Sequence, residues 1–443
     1  MLVAGHCNGL PELAAGMKAL PDTAASFAHT QALWRFLDNE RVTPVHLGAP
    51  LVAGAREGIA ENCVAYALVA HDWSRLNYNS HPSKQDRLTM THATDVGYEL
   101  QSSLVIGDKE GAPLSPVAQN LVTSEKMLST YRPPAAVTPA GAIPAESAPA
   151  EGGPAAASPP YKAPTHLDEL TERMAWLEAQ NLGKPLVHII DREADSVDHL
   201  RQWTAAKQRW LIRAKAGSKV RVGDKNHRLD AVAAGLRYRS VRQIDLNGKP
   251  CQQWVADTLV VLARPARSKR KDAAGKRVKP KPGAPIEVRL VVSRIEDAAG
   301  KLVAMWYLLC HLQEPVDAAE VVLWYYFRWR IESFFKLLKQ AGHQLEHWGQ
   351  ESGTAIFKRL LIASQACVLT WRILHAQGPF AVEAQRFLVR LSGRQTKRTQ
   401  PITAPAILSG LHTLFSMMEL LQHYSPDQIK AYARFAFPDR YPP

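Results

Sequence analysis

Acidic residues are in deficit in this 443-residue chain: 41 Asp and Glu stand against 54 Lys and Arg, a formal charge of +13. That balance favours a polyanionic partner such as nucleic acid, although basic charge also serves solubility. Cysteine is scarce too. The five residues (Cys7, Cys63, Cys251, Cys310 and Cys367) are scattered with no C-x-x-C pair, which excludes a disulfide framework and a cysteine zinc site and fits a reducing compartment. No uninterrupted apolar run reaches the ~18 residues of a spanning helix, and the N-terminus lacks a basic-then-apolar leader pattern. The expectation is an intracellular protein with no membrane partner. At 443 residues the chain is expected to hold two to four domains, taking roughly 150 residues for each, and it shows no internal repeats.

Hydrophobic residues make up 46% of the chain, enough for a substantial core. Short helices are predicted in the first fifty residues, including Thr30–Leu37. The apolar run Cys63–Ala70 reads as a buried strand ending at His71-Asp72. Tyr98–Ile106 is a further strand. Residues 133–164 are dominated by Pro, Ala, Gly and Ser and cannot bury enough apolar surface to offset their ordering entropy, so they read as a disordered insert. Deleting them is expected to leave folding and activity nearly unchanged, and a large fall in melting temperature would contradict that reading.

Order is predicted to resume with a helix from Leu167 to about Gln180. A strand Pro185–Ile190 follows, ending in Asp191-Arg-Glu-Ala-Asp195, and then the strand-like Trp210–Lys215. Between 216 and 305 the pattern changes to short β-like runs, among them Val255–Leu262 and Ile286–Val292. The strongly basic stretch 264–281 lies between those two and reads either as a solvated hairpin loop or as a DNA-contacting one. After the strand Met305–Cys310, one long helix is predicted from about Asp317 to Gln340, with Gly342 as its stop.

That helix carries the most specific pattern. At about 100° per residue, Tyr325, Arg328, Glu332 and Lys339 fall within a ~60° arc, beside an apolar arc of Trp324, Phe327, Ile331, Phe334, Phe335 and Leu338. A carboxylate aligned with cations suits a phosphate-bearing ligand, since the cations neutralise phosphate oxygens while the carboxylate holds a metal. Taken alone, the same pattern describes a salt-bridged amphipathic helix. Asp72 and Asp191 each end an apolar run, where an Asp more often caps a turn. Carboxylates at strand ends meeting a third on a helix are nevertheless what two-metal phosphoryl transfer requires, and hard cations select carboxylate oxygen.

Together these residues reach a resemblance. Tyr325-x2-Arg328-x3-Glu332-x6-Lys339, with Lys336 in the same run, resembles the Y-R-E-K signature of the Tn-five-type DDE transposases of the IS-four superfamily, the cut-and-paste bacterial insertion sequences. Asp191-Arg-Glu-Ala-Asp195 resembles the family's second carboxylate motif. Asp72-Trp-Ser-Arg-Leu-Asn-Tyr78 resembles the first, with Trp73 where the family commonly has Thr. The resemblance implies an α/β fold: a ribonuclease-H-like catalytic core (56–215 and 306–375) with a β-rich insertion (216–305), plus helical N- and C-terminal regions. Residues 1–55 would be a shortened helical DNA-end-binding region, and 376–443 a helical region that dimerises.

It further implies that Asp72, Asp191 and Glu332 are catalytic and bind two Mg²⁺ ions, with Mn²⁺ as a substitute. Tyr325, Arg328 and Lys339 would hold phosphates, Lys336, Arg213 and Lys215 would contact DNA, and Trp306 would stack on a flipped base. The implied partners are double-stranded DNA (inverted-repeat transposon ends and target) and a second copy of the chain. The implied location is the bacterial cytoplasm, on the nucleoid when bound. The implied chemistry is nicking, hairpin formation and strand transfer. Two rivals are a structure-specific nuclease on the same core and a non-catalytic DNA-binding inhibitor of transposition.

Overall fold

The computed structural model describes residues 23–132, 161, 163–246, 248–266, 279–393 and 401–436. Residues 1–22, nearly all of the Pro/Ala segment 133–164 and residues 267–278 of the basic stretch lie outside the described residues.

Two helices open the described chain, α1 (Thr23–Asp38) and α2 (Pro44–Asn62). Thr43 starts α2: its hydroxyl accepts the His46 N–H at 3.2 Å, and Pro44 supplies a preset φ at the first helical position. The central sheet then begins with β1 (Ala67–Asn77), β2 (Leu88–Thr89), β3 (Val96–Gly107), β4 (Pro113–Val122) and β5 (Met127–Ser129). Helix α3 (His166–Ala179), strand β6 (Leu186–Ile190), helix α4 (Val197–Ala205) and strand β7 (Arg209–Arg213) follow. Strands β1, β3 and β4 form an antiparallel meander, and β6 and β7 lie parallel to β1. This arrangement is consistent with the expected ribonuclease-H-like core.

Strands β8 (Lys219–Val222) and β9 (Lys225–Arg228), helix α5 (Leu229–Ala234), then β10 (Arg239–Leu246), β11 (Lys249–Leu262), β12 (Ile286–Asp297) and β13 (Leu302–His311) make up the β-rich region. It does not stand apart from the core. Strand β13 pairs with both β7 and β12, so the order runs β5-β4-β3-β1-β6-β7-β13-β12-β11-β8-β9 through one continuous sheet. A boundary at residue 305/306 would fall inside β13.

Beyond the sheet come α6 (Ala318–Phe327), α7 (Trp329–Leu338), α8 (Gly353–His375), α9 (Pro379–Leu391), α10 (Ala404–His423) and α11 (Pro426–Ala436). Helices α6 to α8 cover one sheet face with Trp324, Ile331, Phe334, Phe357 and Leu361 against Leu68, Ala70, Leu100 and Ile189. Helices α3 and α4 cover the other face with Leu170, Met174, Leu200 and Trp203 against Ile190, Ile212 and Val292. Lys358, buried in α8, donates to the carbonyls of Leu37 (2.7 Å) and Asn39 (2.9 Å), and so ties the end of α1 to the helical layer.

Three local expectations change. Strand β1 runs on through Asp72 to Asn77, because its polar second half pairs residue by residue with β3, from His71↔Ser103 to Asn77↔Gly97. Its first residues are not strand: the Asp108 carboxylate accepts the N–H groups of Val64, Ala65 and Tyr66 at 2.9, 2.8 and 2.9 Å. The single long helix is instead two, broken at Arg328, whose N–H reaches back only three residues to Tyr325. The turn between β3 and β4 grips this break. Gly111 (φ +67°) lies under the Phe327 ring, where a Cβ would come within 2.3 Å, and its carbonyl accepts from Arg330 Nε at 2.8 Å. In addition, α7 ends at Leu338, so Lys339 stands at its C-cap with ψ −104° rather than on the helix.

Among the described helices, α10 is long and apolar enough by length and composition to cross a membrane. Ala406, Ile407, Leu408 and Leu411 pack into the same core as α8, while Met417, Met418 and Leu421 are exposed.

Candidate active site

The parallel pairing of β1 with β6 brings the two Asp residues together. Its last register pair is Ala70↔Ile189. Two residues further on stand Asp72, within β1, and Asp191, just past the end of β6, close enough that Asp191 acts electrostatically on Asp72. Helices α6 and α7 cross the sheet face that carries Ala70 and Ile189, and Glu332 and Arg328 project from their junction. The Arg328 guanidinium joins both elements: Nη1 donates to Asp72 Oδ2 at 3.0 Å and Nη2 to Glu332 Oε1 at 2.9 Å. Asp191 also caps the short turn Arg192–Ala194, its Oδ1 accepting the Glu193 N–H at 2.8 Å. The capping and metal-holding readings of this Asp are thus compatible, because a carboxylate has lone pairs for both.

Burial pushes the Asp72 carboxyl up to about 6; Arg328 and the Trp73 N–H oppose the rise, while Asp191 and Glu332 add to it. Three carboxylates therefore share one field with the buried Arg328 guanidinium. Burial disfavours the charge on Arg328, and Tyr325, Asp72 and Glu332 more than restore it. Among the described residues, no three Asp, Glu, His or Cys side chains stand ready to share one ion. The guanidinium fills the space between Asp72 and Glu332. Hard oxygen donors around a cation that already bridges them nonetheless suit a divalent metal, provided Arg328 yields the position.

The other predicted residues divide into groups. Tyr325 and Arg328 are buried, not open along a helix edge, because the break in the helix turns them inward. The Tyr325 ring packs edge-on against Trp306 at 5.6 Å, and burial raises its hydroxyl above the ordinary tyrosine value. Trp306 is half-buried there. Lys339 pairs with Glu346 at 3.3 Å and also donates to the Arg75 carbonyl. Lys336 and Lys215 are exposed, and Arg213 is half-buried at the end of β7. At the root of the basic stretch, Arg264 pairs with Asp195, whose carboxylate also holds the Ser218 hydroxyl and the Lys215 N–H. Asp195 therefore fastens the β-rich region to the site turn.

Two features were missed. Trp329 is 49% exposed directly after the helix break, with the Arg328 guanidinium 5.5 Å from its ring. His166 lies behind the site, between Glu99 and Glu193 and against Trp73. The unusual Trp73 was a visible signal for the second, but no spacing rule linked it to His166.

The mixed α/β sheet with its covering helices is consistent with a ribonuclease-H-like DDE domain. Residues 163–371 match the family described as the transposase DDE domain. Such a domain implies DNA transposition by a phosphoryl-transfer enzyme that uses divalent metals. The matched span holds Asp191, Glu332 and all the predicted DNA-contacting residues. Asp72 lies outside it and joins the site through β1. No curated protein matches the chain.

Proposed function

We propose that this chain is a DNA transposase of the Tn-five type that nicks transposon ends, forms a hairpin and transfers the freed strand to target DNA. The observation that supports this best is the bridging of Asp72 and Glu332 by one guanidinium, with Asp191 beside them across the parallel pair. Asp72, Asp191 and Glu332 would hold two divalent cations, Mg²⁺ or Mn²⁺. When bound, these supply activation of the attacking oxygen and stabilisation of the leaving oxygen.

The chain's own residues position the DNA. Arg328 exchanges its carboxylates for a backbone phosphate, with Tyr325 packed behind it. Lys339 exchanges Glu346 for another phosphate, while Lys336, Arg213 and Lys215 extend the basic rim. Trp306 and Trp329 offer ring faces for an unstacked base. The exposed apolar side of α10 and the neighbouring α11 suits a homodimer on DNA.

The test is a gel shift with the element's own inverted-repeat ends, followed by an Mg²⁺ assay for cleavage and joining. Cleavage without joining would indicate a nuclease, and binding without cleavage an inhibitor of transposition. In the same assay Lys339→Ala is expected to weaken DNA binding and reduce the salt dependence by about one phosphate contact. An unchanged salt slope would show that Lys339 serves only Glu346.

A further inference from the structure

His166 is the first residue of α3, where the positive end of the helix dipole disfavours a cation. Two carboxylates nevertheless enclose its ring. Nδ1 lies 3.0 Å from Glu193 Oε1, and Nε2 lies 3.0 and 3.1 Å from the two oxygens of Glu99. Gln101 Nε2 donates to Glu99 Oε1 at 2.9 Å and completes the far side. The Trp73 ring lies against the imidazole with centroids 4.2 Å apart. Burial works against the charged ring, but its hydrogen bonds to Glu193 and Glu99 raise its pKa to about 10. The ring is therefore an imidazolium with both N–H groups donated.

The groups it touches define its reach. Trp73 follows Asp72 in β1 and points to the opposite sheet face. Glu193 belongs to the three-residue turn that Asp191 caps. One ring on the back of the sheet therefore holds the two chain segments that present Asp72 and Asp191 on the front.

We infer that His166 is a positioning residue for the metal site, a cationic clamp that sets the separation of Asp72 and Asp191 through Trp73 and Glu193. The inference rests on the metal-binding reading of Asp72, Asp191 and Glu332. Metal ligands need their supporting hydrogen bonds to stay in place, and loss of such a partner typically costs about 10–100-fold in affinity.

Mn²⁺ binding to the full-length, DNA-free protein, followed by the electron paramagnetic resonance of the free ion, tests it alongside thermal unfolding. His166→Phe keeps a ring against Trp73 but loses both ion pairs. Glu193→Gln removes one charge from a half-exposed site and should fold even if His166→Phe does not. Each is expected to weaken Mn²⁺ binding about 10-fold, and the double variant should be no weaker than His166→Phe alone, since both break the same link. Unchanged Mn²⁺ affinity in Glu193→Gln and in folded His166→Phe, whatever the melting temperature, would reduce the cluster to a fold contact and overturn the inference. Asp191→Asn separates the two levels. If it leaves Mn²⁺ binding at the wild-type level, the metal reading itself fails and the clamp falls with it.

Discussion

Glu332→Gln is expected to lower Mg²⁺-dependent cleavage of a transposon end on the order of 10³-fold or more, with DNA binding unchanged or slightly stronger. The substitution preserves shape and leaves a carbonyl oxygen to accept from Arg328 Nη2, which now donates to Oε1 at 2.9 Å. Little stability should be lost, because the Glu332 side chain is 40% exposed and exposed pairs contribute roughly 0–1 kcal/mol. What disappears is the negative charge that holds a divalent cation, together with its repulsion of phosphate. Cleavage kinetics and a gel shift on the same DNA separate the two effects. Full Mg²⁺-dependent cleavage by the variant would show that Glu332 is only the salt-bridge partner of Arg328.

The second large effect is expected at Arg328. In Arg328→Ala the Asp72 carboxylate, already pushed up by burial, loses its counter-charge beside Asp191 and Glu332. Removing one partner of a buried ion pair commonly costs about 3–5 kcal/mol, so a fall of several degrees in melting temperature is expected without metal. Added Mn²⁺ should recover more of that loss in Arg328→Ala than it adds to the wild type, because the guanidinium no longer competes for the carboxylates. DNA binding should weaken at the same time. Equal stabilisation of both proteins by Mn²⁺ would mean that Arg328 does not occupy a metal position, and the proposed exchange from carboxylate to phosphate would have to be abandoned.

These expectations turn on one short segment, and the sequence went far toward specifying it. The apolar spacing around Glu332 marked the buried side correctly: Trp324, Phe327, Ile331, Phe334, Phe335 and Leu338 all lie in the core. What periodicity could not foresee was the break at Arg328. A repeat near 3.6 residues continues through a one-residue irregularity almost unchanged, whereas the break follows from the grip of Gly111 on Phe327 and Arg330, more than two hundred residues away in sequence. Tyr325 and Arg328 are therefore buried, while Glu332 stays partly exposed.

The sequence by itself determined the element types near the site and the basic character that points to DNA, because local periodicity and net charge are properties of the chain alone. Only the tertiary structure decided three further matters. Asp72 lies within a strand rather than at its end, since the polar half of β1 is held by pairing with β3. The β-rich region shares one sheet with the core, since β13 finds both β7 and β12 as neighbours. Arg328 and His166 take opposite faces of the Asp72–Asp191 pair, the first toward Glu332 and the second between Glu99 and Glu193. Each outcome depends on partners distant along the chain, and the distance between such partners is fixed by packing and strand register, which no local pattern encodes.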